Sequence, residues 1–263
     1  MTPVVSGRSW VRFLVGFVAL YGVLWAAGSV DTSGRWGLGM LAAVVLAAVL
    51  VETLLFRTPA AALPVRLGFG RPAGRALAVG ALVSGGVLLV YPLTAAVTGV
   101  SMQLRPDWLW LLIGVFAFHG LAEELVWRGY VFGRLRAGRS FWSAMWWTMP
   151  LIAVTHLPIV FSMGPATGIG AMVVAAVTSI PLGYLYETGR GSVWAPALVH
   201  TAIDSFKLFV IPASVLSTFP MLITVISIVV PLAALAVPRQ WLEPAGHPVK
   251  GFARLSHLLA KKR

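Results

Sequence analysis

Residues 108–130 read WLWLLIGVFAFHGLAEELVWRGY. At 1.5 Å per helical residue this run extends about 34 Å, which is enough to cross the roughly 30 Å hydrocarbon core of a bilayer. It is apolar up to Phe118 and then carries His119, Glu123, Glu124 and Arg128. An ionised side chain at the centre of a membrane helix costs at least about 2.5 kcal/mol, so polar residues placed there are functional candidates. We therefore predict a transmembrane helix with a functional polar half.

The rest of the chain has the same character. Of its 263 residues, 59% are hydrophobic and only 11% are charged, whereas about a quarter of a soluble domain is charged. This composition excludes the soluble globular, disordered and fibrous classes. We predict an all-α fold, a polytopic transmembrane bundle of about eight helices with an intramembrane cavity. The spans are expected at 13–30, 36–56, 77–97, 108–130, 142–162, 165–186, 191–211 and 215–237.

Basic residues outnumber acidic ones by 20 to 8, which gives a net charge of +12. They lie mainly before the first span and after the second, fourth and eighth, as Arg71 and Arg136 illustrate. Cytoplasmic loops carry such an excess, and this explains the charge better than nucleic-acid binding does. We expect an integral multi-pass protein of the cell (inner) membrane with both termini in the cytoplasm.

Three segments need separate expectations. The N-terminal apolar run is long enough to be a retained anchor rather than a cleaved signal peptide. Leu255 and Leu258 belong to a basic C-terminal tail, which either lies on an anionic inner leaflet or is simply solvated. Pro150, Pro158 and Pro165 indicate a broken helix, and such breaks persist in a membrane only where they are buried or line a cavity.

The tandem glutamates of the fourth span are expected to differ. Glu124 and Arg128 lie four residues apart and can pair, whereas Glu123 points about 100° away. His119 lies one turn before Glu123 on the same face. The alternative is that these charges only anchor the end of a helix, although two adjacent glutamates are a costly anchor. Because the chain has no cysteine, any chemistry depends on Glu, Asp, His, Ser or Thr.

Two further histidines lie in predicted spans. A lone histidine such as His156 is more often a packing residue than a ligand. His200 and Asp204 are four residues apart, so the carboxylate either orients the imidazole or makes a plain interhelical hydrogen bond. On the predicted spans Glu123 and His156 differ by about 9 Å in height, which tilt or a proline bend must close. One glutamate and two histidines could then bind a divalent metal or activate water without one.

Together these segments resemble the CAAX prenyl protease and bacteriocin-processing family (CPBP, or Abi) of intramembrane endopeptidases. That family has Glu-Glu-x-x-x-Arg in one helix, a histidine in the next, and His-x-x-x-Asn or Asp in a later helix after Ser-x-Trp-Ala-Pro. The matching residues here are Glu123, Glu124, Arg128, His156, Ser192, Trp194, Ala195, Pro196, His200 and Asp204. Residues 66–72, RLGFGRP, are similar to the family's basic loop.

The resemblance divides the chain into three parts. It predicts a CPBP-like intramembrane protease domain at 66–211. N-terminal transmembrane helices occupy 1–65, and a final transmembrane helix with a basic cytoplasmic tail occupies 212–263. It implies hydrolysis of a peptide bond in a membrane-associated or lipidated peptide or protein, with membrane lipid as the other partner and no nucleic acid.

The resemblance also implies roles for the site residues. Glu123 would activate the attacking water with His156, while His200 and Asp204 would assist it or stabilise the oxyanion. Asp204 stands where many members have asparagine, and an aspartate donates a hydrogen bond only when protonated. The supporting pair would be Glu124 and Arg128. His119 receives no role from the resemblance.

The sequence leaves alternatives open for both the cofactor and the activity. Glu123, His156 and His200 would ligate zinc if the protein is a metalloprotease, whereas a metal-free glutamate mechanism would use the same residues. A non-proteolytic scaffold or regulator on this fold is a second reading of the activity. A proton-coupled transporter is a third, but the inverted repeats that would favour it are not apparent.

Overall fold

The computed structural model describes residues 7–242. Apart from one short antiparallel ribbon, the described chain is helical, which confirms the predicted all-α bundle. Seven of its helices are long and apolar enough to cross a membrane. The elements are α1 (Gly7–Val30), α2 (Gly37–Leu54), α3 (Leu63–Arg66), α4 (Gly74–Thr98), β1 (Gln103–Leu104), α5 (Trp108–Arg136), α6 (Phe141–Met163), α7 (Pro165–Thr188), α8 (Trp194–Ile203), β2 (Phe209–Val210), α9 (Phe219–Ala236) and α10 (Arg239–Leu242). The basic C-terminal tail, with Leu255 and Leu258, lies outside the described residues.

Helices α1 and α2 pack on α5, the helix with the tandem glutamates. Phe13 and Phe17 of α1 are buried in one apolar cluster with Trp127 and Tyr130 of α5. The Tyr130 hydroxyl donates a 2.9 Å hydrogen bond to the carbonyl of Phe13. The first two helices therefore share a core with α5.

Large apolar side chains cover the outside of the bundle. Trp25, Leu82, Trp146, Phe161 and Val229 are among those that are more than half exposed. Such a surface would be costly in water, but it suits contact with lipid acyl chains. The seven apolar helices and this surface fit an integral membrane protein.

The seventh predicted span is shorter than expected. Helix α8 has ten residues and is followed by a 3₁₀ segment, Asp204–Leu208. Together they extend about 25 Å, so the prediction of a full helix over 191–211 was wrong. The loop closed by Gly191, whose φ is +70°, precedes the helix, and the pairing of β2 with β1 follows it.

The short segment nevertheless joins the two faces of the bundle. At its start the Val193 amide donates to the carbonyl of Gly68, which lies in the loop between α3 and α4. At its end β2 pairs with β1, in the loop between α4 and α5. One of these loops precedes α4 and the other follows it, so they lie at the two ends of that helix. The segment 193–210 is thus an eighth crossing of the bundle.

Helix α6 is broken at His156, which lies inside the fifth predicted span rather than in the gap before the sixth. Its halves run over Phe141–Thr155 and Leu157–Met163. The Ile159 amide bonds to the carbonyl of His156 rather than to that of Thr155, and the Tyr21 hydroxyl donates to the Thr155 carbonyl over 3.0 Å. An open apolar cleft of about 660 Å³ lies here between α1 and α6. This agrees with a cavity beside the prolines.

A buried ion pair joins α2 to α5. Glu52 of α2 bonds to Arg134 of α5, and both side chains are buried. Glu52 also accepts from the Thr58 hydroxyl over 2.7 Å, and the Arg134 guanidinium lies over the ring of Phe56. Removing one member of such a pair leaves the other charge buried. Glu52 therefore stabilises the packing of α2 on α5.

Candidate active site

The tandem glutamates lie between two π-helical segments of α5. These segments are Phe116–Ala122 and Leu125–Phe132, on either side of Glu123 and Glu124. A π-turn contains more residues than an α-turn and is often found at functional sites. The π-turns change the angular spacing of the side chains along α5. The carboxylates of Glu123 and Glu124 therefore both reach hydrogen-bond partners on the inner side of the helix.

Glu124 is fully buried and makes its hydrogen bonds through Oε1, whereas its Oε2 is buried without a partner among the described residues. Its Oε1 accepts a 2.8 Å bond from Arg128 and a 2.7 Å bond from Nδ1 of His200 on α8. The exposed fraction is 0% for the Glu124 side chain and 2% for Arg128. The predicted Glu124–Arg128 pair is confirmed, and the bond to His200 adds a link between two helices.

Glu123 has a different environment. Its side chain is 17% exposed, and its Oε1 lies 2.7 Å from Nδ1 of His119, one turn earlier on α5. Its Oε2 lies 3.7 Å from Nε2 of His200. The two tandem carboxylates therefore differ in burial, because Glu123 is partly exposed and Glu124 is not.

Asp204 completes a cluster of two imidazoles and two carboxylates. Its Oδ2 lies 3.4 Å from Nε2 of His200 and 3.7 Å from Nδ1 of His119. Each imidazole therefore faces both Asp204 and Glu123. We call His119, Glu123, His200 and Asp204 the polar quartet.

The quartet depends on a close approach of α5 to α8. A Cβ atom placed on Gly120 would lie 2.5 Å from the hydroxyl oxygen of Thr201 and 3.1 Å from the carbonyl oxygen of Ala197. Since such distances are closer than van der Waals contact allows, only glycine fits at position 120 without movement. This contact places His200 and Asp204 beside the glutamates.

The structure does not bring His156 into the quartet. Its Nδ1 bonds to the carbonyl of Ile152 on the same helix, over 2.8 Å. Among the described residues no carboxylate lies within ion-pair distance of its ring. Glu123 and His156, whose heights were expected to converge, therefore make no direct contact among the described residues.

Of the three predicted zinc ligands, the structure brings two into contact. Glu123 and His200 are neighbours, but His156, the third expected ligand, bonds elsewhere. Within residues 7–242 no group of three His, Asp or Glu side chains has a geometry that could hold a metal ion. In the quartet, Nδ1 of His119 and Oε1 of Glu123 are in direct hydrogen-bond contact.

The sequence alone assigned no role to His119. Its distance of four residues from Glu123 indicated a shared face, and that contact is confirmed. Its proximity to Asp204 depends on how α5 and α8 pack, which the spacing of residues in one helix does not reveal. The same holds for the bond between His200 and Glu124.

Residues 105–206 match the family model described as type II CAAX prenyl endopeptidase Rce1-like. This part of the chain is similar to that family. The match confirms the predicted resemblance, and the Rce1-like segment contains all four quartet residues together with Glu124, Arg128 and His156. It supports an intramembrane endopeptidase of the CAAX type in general. None of the curated proteins matches the chain.

Proposed function

We propose that this protein is an intramembrane endopeptidase that hydrolyses a peptide bond in a lipidated, CAAX-type substrate, with Glu123 as the general base. The observation that carries the proposal is the contrast between the tandem carboxylates. Glu124 is sealed against Arg128 and His200, whereas Glu123 keeps an exposed fraction of 17%. A base must reach the water that it activates. Glu123 meets that requirement and Glu124 does not.

The reaction follows from the positions of the quartet side chains. Glu123 takes a proton from water as the water oxygen attacks the scissile carbonyl carbon, which forms a tetrahedral oxyanion. The C–N bond then breaks, and the proton held by Glu123 passes to the departing amine. Each step conserves charge and needs no further reactant.

His200 is suited to stabilise the oxyanion. Its Nδ1 donates to Glu124, and its Nε2 faces Glu123 and Asp204. Three carboxylates around one imidazole favour its positively charged form, in which Nε2 also carries a hydrogen. A charged donor fixed beside the base stabilises charge that develops in the transition state.

Asp204 is suited to orient His200 as a carboxylate. Two imidazole nitrogens lie within 4 Å of its Oδ2, and each favours the ionised form. Of the two roles expected for Asp204, the charged partner has more support than the neutral oxyanion donor. The proposed mechanism is the metal-free alternative, which the bond of His156 to the Ile152 carbonyl supports.

The proposal is tested by comparing membranes that contain wild-type protein with membranes that contain Glu123→Gln. A proteomic search for new peptide termini should find cleavage products only with the wild-type chain. The purified protein should also release the last three residues from a farnesylated peptide that ends in a CAAX sequence. The amide in Glu123→Gln keeps the size of the side chain and removes the base.

Glu187→Gln is the matched control. Glu187 pairs with Arg136, away from the quartet, so this variant should keep its activity. If Glu123→Gln and wild type gave the same termini and the same peptide cleavage, the catalytic role of Glu123 would be wrong. If the wild type cleaved nothing, the scaffold reading would replace the enzyme.

A further inference from the structure

His119 contacts the proposed base directly. Its Nδ1 lies 2.7 Å from Oε1 of Glu123, and its ring makes an edge contact with Phe118 at a centroid distance of 4.9 Å. Its other ring nitrogen, Nε2, is buried and has no hydrogen-bond partner among the described residues. The hydrogen bond to Glu123 is therefore the one that orients this ring.

Because of this contact, the two carboxylate oxygens of Glu123 have different surroundings. Oε1 is engaged by His119, whereas Oε2 lies 3.7 Å from the nearest nitrogen of His200, beyond an ordinary hydrogen bond. Oε2 is thus the oxygen able to accept a proton from water. A glutamate has three side-chain torsions, and a hydrogen bond to one oxygen fixes where the other points.

We propose that His119 is a positioning residue that donates from Nδ1 to Oε1 of Glu123 and holds Oε2 toward the scissile bond. The inference rests on the proposed function, because it assigns His119 a part in that reaction. It explains a buried imidazole that otherwise has no structural bond. Asp204 faces the same Nδ1 over 3.7 Å, beyond an ordinary hydrogen bond.

The kinetic test uses two substitutions that differ in one hydrogen-bond donor. The side-chain amide of asparagine can occupy the place of Nδ1 and donate to Glu123, whereas leucine cannot donate. With the farnesylated CAAX peptide, His119→Leu should lower kcat on the order of 10- to 100-fold and leave KM near the wild-type value. His119→Asn should recover most of the lost kcat.

Thr148→Val serves as the control for disturbance of a buried site. Thr148 is buried, and its hydroxyl bonds within its own helix to Ala144. This variant should keep both kcat and KM. The proposal is overturned if His119→Asn is as impaired as His119→Leu, or if His119→Leu changes KM alone.

A spectroscopic measurement tests the contact without any activity. In protein labelled with ¹⁵N-histidine, the signals that disappear in His119→Asn belong to His119, and they should show a hydrogen on Nδ1. An Nδ1 without a hydrogen would refute the donor role. This measurement does not involve a substrate. A protein that cleaves nothing would therefore refute the proposed function, while the contact between His119 and Glu123 could still be measured.

Discussion

Glu124 of α5 and His200 of α8 are joined by a 2.7 Å hydrogen bond between Oε1 and Nδ1. The same oxygen also accepts from Arg128 over 2.8 Å. One buried carboxylate therefore balances a permanent cation and anchors the imidazole that faces Glu123. Glu124 links the stability of the bundle to the geometry of the quartet.

The first prediction concerns this link. Glu124→Gln should lower the free energy of unfolding by about 3–5 kcal/mol, because it leaves the Arg128 charge buried without its partner. Denaturant unfolding in detergent, followed by tryptophan fluorescence, measures the change. The double variant Glu124→Gln/Arg128→Met should be more stable than Glu124→Gln alone, since it contains no unpaired charge. Equal stability of Glu124→Gln and wild type would contradict the buried pair.

The second prediction concerns metal. Purified protein treated with a strong chelator should keep its activity on the farnesylated peptide, because His156 bonds to Ile152 and is not placed beside Glu123 and His200. Elemental analysis of the same sample should find less than one equivalent of zinc. Loss of activity that added zinc restores, together with loss of metal in His200→Ala, would contradict this prediction.

The third prediction concerns the short crossing. Because the chain has no cysteine, single cysteines can be labelled without background. Arg190→Cys and Val210→Cys, at the two ends of the segment 193–210, should react with an impermeant thiol reagent from opposite sides of the membrane. Arg71→Cys should react from the same side as Arg190→Cys, and the positive-inside rule predicts that this side is the cytoplasm. Labelling of positions 190 and 210 from one side would mean that the segment does not cross.

Contacts within one helix were predictable from the sequence. Spacing of four residues gave the pairs Glu124–Arg128, His119–Glu123 and His200–Asp204, and all three are observed. Residues four apart on a helix lie on the same face, and the two pairs of α5 keep that contact although His119 and Arg128 lie in its π-helical segments. The all-α membrane fold was predictable for a similar reason, since hydrophobicity and the length of each apolar run determine it.

Contacts between helices were not predictable in the same way. The bond of His200 to Glu124 depends on the close approach of α8 at Gly120, which no single segment reveals. The height of His156 depends on where α6 breaks, and the length of α8 depends on the pairing of β2 with β1. Each of these is a property of tertiary packing, which sequence periodicity does not determine.

The fourth prediction concerns Asp204, for which two roles were expected. If Asp204 acts as a neutral donor to the oxyanion, Asp204→Asn should stay active, because an amide also donates. If it acts as a carboxylate that orients His200, the same variant should lose activity at every pH, because the charged imidazole loses a counter-ion. Its Oδ2 lies 3.4 Å from Nε2 of His200 and 3.7 Å from Nδ1 of His119, and a carboxylate between two imidazoles is stabilised in its charged form. We therefore expect Asp204→Asn to lower kcat by at least about tenfold across the whole pH range, as loss of a carboxylate behind a functional imidazole generally does. Membrane insertion and unfolding should stay near wild type, because the amide keeps the volume of the side chain. Steady-state rates from pH 5 to pH 9 on the farnesylated peptide measure this, and full activity of Asp204→Asn at any pH in that range would restore the neutral-donor role.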